Sequence, residues 1–421
     1  MQSIQTPQKR PRDIRLDFFR GLCLFIIFVA HVFANAWAAW IPARFGFSDA
    51  TEIFVFCSGM ASAVAFGGVF AQRGLLLGSA RILFRVWQVY WAHIAVFLVS
   101  VVMMVATDHW LGTTNEYIGG LMMEPLFDGR AKQAVVGLMT LSYVPPFFDI
   151  LPMYLVILGF IPVVMALHQL WGRAAVAVFV LGLWLVTSFG FLELSREPWG
   201  PASWFFNPFS WQIVFFTGFA FMRGWLPEPS ADKRLIWAAI IVVVACVPFE
   251  WAALLTRIEV LRDGREALGA LISKSHVGPL RFLHFIALAY LSFVAAGEGG
   301  RRLKGPVVWL ICKVGQQSLA VFISGLLLSF TASIFLNVAG RTYLTVPFAN
   351  LAGMAGLVAV AFVVGWFKST PWAKPVEKRV SVAGLMAGRG TQSLTPTAQA
   401  GLVGPADGGL RQWSGKPTPA E

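Results

Sequence analysis

"LDFFRGLCLFIIFVAHVFANAWAAW", residues 16–40, is a run composed for apolar surroundings that nonetheless contains Arg20 and His31. A spacing of 11 residues carries a helix through three turns plus about 20°, so the two side chains share a face. Along the axis they stand about 16–17 Å apart. Ionisable groups at membrane depth are costly, and they mark sites that face the protein interior. His31 titrates near neutral pH, which suits a general base. Its competing reading is a polar core residue bonded across helices. Arg20 has competing readings too: it can snorkel to the inner interface or pair with Asp17.

The whole chain has the same character. Of its 421 residues 57% are hydrophobic and 13% charged, and the mean hydropathy is +0.68. That composition excludes an ordinary soluble domain. Ten apolar segments have the length a bilayer core requires: near 16–40, 50–71, 82–107, 149–168, 172–192, 204–225, 235–256, 279–297, 314–336 and 344–367. The expected fold is therefore an all-α polytopic membrane protein with about ten transmembrane helices. The first span lacks the small-residue cleavage site of a signal peptide, so it is retained. Residues 1–15 form a basic cytosolic segment, 16–367 the membrane domain, and 368–421 a Gly-, Ala-, Thr-, Ser- and Pro-rich cytosolic tail with the composition of disorder. Residues 108–148 are a long outer connection whose apolar part is too short to cross, hence re-entrant or interfacial. No repeat relates the two halves of the chain, which counts against duplicated transporter folds.

The net charge of +12 is explained by topology. With alternating spans, 22 Lys and Arg fall on the side of the amino terminus and ten on the other. That asymmetry places both termini in the cytoplasm, and it removes the need for a nucleic-acid partner. Cys23, Cys57, Cys246 and Cys312 sit in or beside apolar runs at scattered spacings. They read as buried free thiols, with no CxxC metal site.

Further polar residues mark candidate sites. Arg81 and Arg85, one turn apart at the cytoplasmic entry of the third span, could grip phosphates, or could serve only as positive-inside anchors. Asp49 and Glu52, at the outer end of the second span, could orient His31 or support its imidazolium; alternatively Ser48 or Asp49 caps the helix. Ser58, Gly59, Ala61 and Ser62 fit close helix packing. Asp149 begins the fourth span as a possible acceptor contact or cap. Trp37, among outer aromatics that include Trp40, Trp199 and Trp204, could stack on a sugar or belong to an aromatic belt. His93 could extend a polar track from Arg85. His284, Glu250, Gln316 and Gln317 are intramembrane polar residues without a legible partner.

"LDFFRGLCLFIIFVAH" resembles the first-helix motif of the acyltransferase 3 superfamily, in which ten residues separate an arginine from a histidine. "RLDFFRG", "FGFSDATEIFVFCSGM", "YVPPFFDILPMY" and "GQQSLAVFISG" together resemble its OpgC branch, over residues 12 to about 367. The resemblance implies a bacterial inner-membrane enzyme that moves an acyl group from cytosolic acyl-CoA to a periplasmic glycan hydroxyl; for the OpgC branch it implies succinylation of osmoregulated periplasmic glucans. Carried onto this chain, Arg20 and His31 fill the paired positions, and Arg81 and Arg85 match the basic motif before the third span. Many relatives have a histidine where this chain has Ser324, so any role of that histidine is not carried over. The pantetheine arm of coenzyme A is about as long as the Arg20–His31 separation, and acyl-CoA is a donor substrate, not a tightly bound cofactor. Two other readings stay open: a transporter or flippase without bond chemistry, and an acetyltransferase acting on another glycan.

Overall fold

The computed structural model describes residues 13–372, and among them there is no β-strand beyond an isolated bridge between Ser195 and Ser203. The helices are α1 (Ile14–His31), α2 (Ala50–Leu111), α3 (Glu116–Gly120), α4 (Ala131–Thr140), α5 (Ile150–Ser188), α6 (Pro208–Met222) and α7 (Lys233–Cys246). They continue with α8 (Ala252–Leu255), α9 (Glu259–Ala267), α10 (Pro279–Ala296), α11 (Pro306–Gln316), α12 (Ser318–Ala339) and α13 (Thr345–Lys368). Five of them, α2, α5, α10, α12 and α13, are long and apolar enough to cross a membrane. Beyond residue 372, the expected tail lies outside the described residues, as does most of the basic amino-terminal segment.

α2 would be about 93 Å long if straight, three times a bilayer core. It is not straight. Gly74, at φ 78°, breaks it, and Gly172, at φ 76°, breaks α5. Both sit in the left-handed region where glycine alone is at ease. Contacts across the breaks show that the halves fold back: Arg81 lies over the Phe66 ring at 5.8 Å, and Phe160 meets Phe179 at 6.0 Å. The connection expected at 72–81 is thus a single glycine between helices.

α1 is the central strut, packed on α2, α11, α12 and α13. Asp13 starts it by accepting a hydrogen bond from the Arg15 backbone N–H at 2.9 Å. It ends at His31, well short of the residue 40 expected for the first span. Beyond Val32, Ala34 takes φ 50°, and the Asn35 side chain caps a separate 3-10 turn, Ala36–Trp40. Asn35 and Asn350 of α13 exchange amide hydrogen bonds at 2.8 and 3.0 Å, fixing this exit.

Small residues let the helices touch backbone to backbone. A Cβ at Gly59 would come within 1.9 Å of the Phe215 carbonyl oxygen, and one at Gly218 within 2.2 Å of that of Phe56, so α2 and α6 are in direct contact. Gly21 and Gly315 play the same part between α1 and α11. The 235–256 segment expected to cross is helical only to Cys246; at Pro248 it passes into the short elements of the 247–278 region. The 108–148 connection holds two short helices, α3 and α4. α11, which precedes the expected 314–336 span, is separated from α12 by Gln317 alone.

Candidate functional site

Arg20 and His31 both face α12. The Arg20 guanidinium donates to Ser318 Oγ at the start of that helix, and its Nε has no hydrogen-bond partner among the described residues. One helix length away, His31 shares a small cavity with Val321, Phe322, Gly325 and Leu326. His31 Nδ1 lies 2.7 Å from the Ile27 carbonyl oxygen. A carbonyl can only accept, so the proton of neutral His31 is on Nδ1 and the lone pair is on Nε2. The ring meets Phe147 edge-on, with centroids 5.7 Å apart. Phe147 has φ 72°, a strained value for an aromatic residue and one found where surrounding structure over-determines the backbone.

The carboxylates expected to orient His31 are engaged elsewhere, and the Nδ1 proton goes to the Ile27 carbonyl instead. Asp49 caps α2 by accepting from the Thr51 N–H at 2.7 Å, and Glu52 accepts from the Asp49 N–H at 2.8 Å, a complete capping box. The same pair forms ion pairs with the segment before α10 and with α10 itself. Arg281 bonds Glu52 and lies 3.4 Å from Asp49, while Lys274 bonds Asp49. Glu52 is fully buried and Arg281 nearly so. Burial alone would raise the pKa of Asp49, at the rim before the helix, but Lys274 and Arg281 outweigh it and hold the carboxyl below the usual range. The Lys274 ammonium also lies over the Phe205 and Phe206 rings, and it acts electrostatically on His31 together with Asp49. Sequence reasoning placed Lys274 and Arg281 only in the outer charge count.

A second group of charges surrounds the opposite end of α1. Lys368, the last residue of α13, donates to Gln317 Oε1 at 2.6 Å and interacts electrostatically with Arg85. Gln317 adjoins Ser318, so Lys368, Gln317, Ser318 and Arg20 form one polar path, while Arg85 donates to Gln88 Oε1 at 3.2 Å. Arg81 diverges from it onto Phe66. Lys368 was missed as a site residue because it reads as one more terminal anchor. The quoted "GQQS" run was the available signal.

The remaining candidates are distributed differently. Trp37 is half-buried in the 3-10 turn and packs against the core. Asp149 is buried immediately before α5, but its side chain makes no capping hydrogen bond, so the expected cap is not formed. His93 is buried, neither ring nitrogen has a partner among the described residues, and it borders a small cavity with Phe147, Phe322 and Leu326. His284 bonds Ser48, Glu250 pairs with Arg265, and Gln316 donates to Asp17. All four cysteines are buried, and Cys312 Sγ reaches the Ile14 carbonyl oxygen at 4.0 Å.

Comparison with known proteins supplies the family. Residues 12–369 match the family model described as OpgC protein, and no curated protein and no solved structure matches the chain. The chain belongs to the OpgC family.

Proposed function

We propose that this OpgC-family chain is an integral membrane O-acyltransferase, moving a succinyl group from cytosolic acyl-CoA to hydroxyls of a periplasmic glucan. In this reading the chain crosses the bacterial inner membrane ten times with both termini in the cytoplasm. The 22-to-10 division of basic residues supports that orientation, and the hinges in α2 and α5 supply two antiparallel halves each.

The observation that carries the chemistry is the tautomer at His31. Nε2 is the free lone pair and takes the proton of the sugar hydroxyl as its oxygen attacks the thioester carbonyl. The C–O bond forms, the C–S bond breaks, and the departing thiolate of coenzyme A receives that proton from the imidazolium. At the other end of α1, Arg20, Arg85 and Lys368 supply positive charge for the donor's phosphates. The helix between them matches the reach of the pantetheine arm. Lys274, ion-paired with Asp49, contributes together with it to the field at His31.

The purified protein, given succinyl-CoA and a neutral glucan, is expected to release free thiol and glucan ester in equal amounts. Absence of glucan-dependent thioester cleavage in a folded, detergent-stable preparation would overturn the reading. The double substitution Arg85→Gln and Lys368→Gln should raise the KM for acyl-CoA by about tenfold and flatten its dependence on ionic strength, because phosphate contacts are charge-assisted and screened by salt. An unchanged KM returns both residues to topogenic anchoring.

A further inference from the structure

Between the two outer connections lies a cavity of about 400 Å³ that the chemistry above does not use. Glu124, Arg130, Tyr143, Pro145 and Pro146 line it from the first connection, and Arg196, Glu197 and Trp199 from the second. A backbone bond from the Val144 N–H to the Arg196 carbonyl at 2.8 Å ties the two together. We infer that this cavity is a subsite for a neutral oligosaccharide, the part of the acceptor that stays bound while one of its hydroxyls reaches His31. The inference rests on the acyltransferase reading and names the place where its acceptor is held.

The chemistry of the walls selects the ligand class. The two guanidiniums meet two carboxylates in the wall, and Asp128 already pairs with Arg130, so the site has no excess attraction for an anion. They present donors and acceptors side by side, which suits hydroxyl groups because each hydroxyl both donates and accepts. The aromatic wall is preformed: Tyr143 and Trp199 pack with ring centroids 5.2 Å apart, and the Arg130 guanidinium lies over Trp199 at 5.2 Å. Asp128 holds that guanidinium through both carboxylate oxygens, and the Tyr143 hydroxyl donates to the Met122 carbonyl at 2.7 Å. Rigid aromatic and Arg side chains cost little entropy on binding. The volume falls in the range of small-molecule sites and exceeds what a few ordered waters need.

Position links this cavity to the base. Tyr143, Pro145 and Pro146 line it, and the next residue, Phe147, is the strained one whose ring meets His31. One step along the backbone therefore separates the cavity wall from the residue in contact with the imidazole.

The test uses the full-length protein in detergent and a panel of neutral glucotetraoses differing in linkage. Arg130→Gln, Glu197→Gln and Trp199→Ala should each raise the acceptor KM at least tenfold while the KM for acyl-CoA is unchanged. Direct binding of a glucotetraose, without donor, should weaken in parallel and should vary little with ionic strength. The two Gln substitutions sit on exposed side chains or the cavity wall and keep the test valid if Trp199→Ala does not fold. An unchanged acceptor KM in Arg130→Gln and Glu197→Gln, with transfer intact, would overturn the subsite and leave the enzyme standing. Glucotetraose binding that these substitutions abolish, in a protein that transfers no acyl group, would support the subsite and sink the enzyme. Binding that collapses in moderate salt would point to an anionic ligand and overturn the assignment.

Discussion

Replacing His31 with alanine lowers acyl transfer by about 10²–10⁴-fold, the usual contribution of a positioned general base, while the protein still inserts and folds. Donor binding survives, because the charges assigned to the phosphates lie at the opposite end of α1, about 16–17 Å away. The rate of the unsubstituted enzyme rises with pH through a single limb on the acid side as the imidazole loses its second proton, and this limb disappears in His31→Ala. Thermal stability and turnover per folded molecule, measured on one preparation, separate this from a packing role. The half-buried imidazole makes one hydrogen bond, to its own helix, so its removal leaves no other side chain unpaired. Wild-type turnover in folded His31→Ala would end the catalytic assignment, and with it the distinction from a transporter.

Arg281→Met is expected to be the most damaging substitution for stability, costing about 3–5 kcal/mol because it strands a buried carboxylate. Glu52 is fully buried and bonded to Arg281, and Asp49 keeps only Lys274. The measurement is the apparent melting temperature in detergent. Adding Glu52→Gln to Arg281→Met should recover part of the loss, since the stranded charge is then gone. A double variant no more stable than the single one would show that the loss came from packing. Acid alone acts later: Asp49 is held below the ordinary carboxylate range, so its ion pairs contribute fully at neutral pH. That contribution fades only as pH falls from the ordinary range through the lowered value.

Apolar run length and charge asymmetry made the helical, membrane-type character legible, because lipid imposes both on local composition. Where helices stop was less legible. Residues 32–40 are as apolar as those before them, yet they form an exit turn set by Ala34 and by the Asn35–Asn350 pair, whose members lie 315 positions apart. The same limit hid the partners of Asp49 and Glu52. Local spacing suggested both a cap and a partner for His31; the cap is formed, and the charges that engage the carboxylates come from Lys274 and Arg281, more than 220 positions away. Arg20 and His31 were found because the helix itself brings them onto one face. Gln317 and Lys368 meet only once α12 and α13 pack together.

The glycine turns at residues 74 and 172 have a consequence for how the chain enters the bilayer and how it can be handled there. A pair of spans joined by one residue has no intervening loop to leave behind, so each pair is expected to insert as a single hairpin, its two arms committed together. A protease working there finds helix and a single glycine, not an extended loop, between residues 50 and 111 or between 150 and 188, and an epitope tag has no loop to occupy. The longer connections, 112–149 and 189–207, with their short helices and turns, are places where the chain can lengthen, be nicked or be labelled.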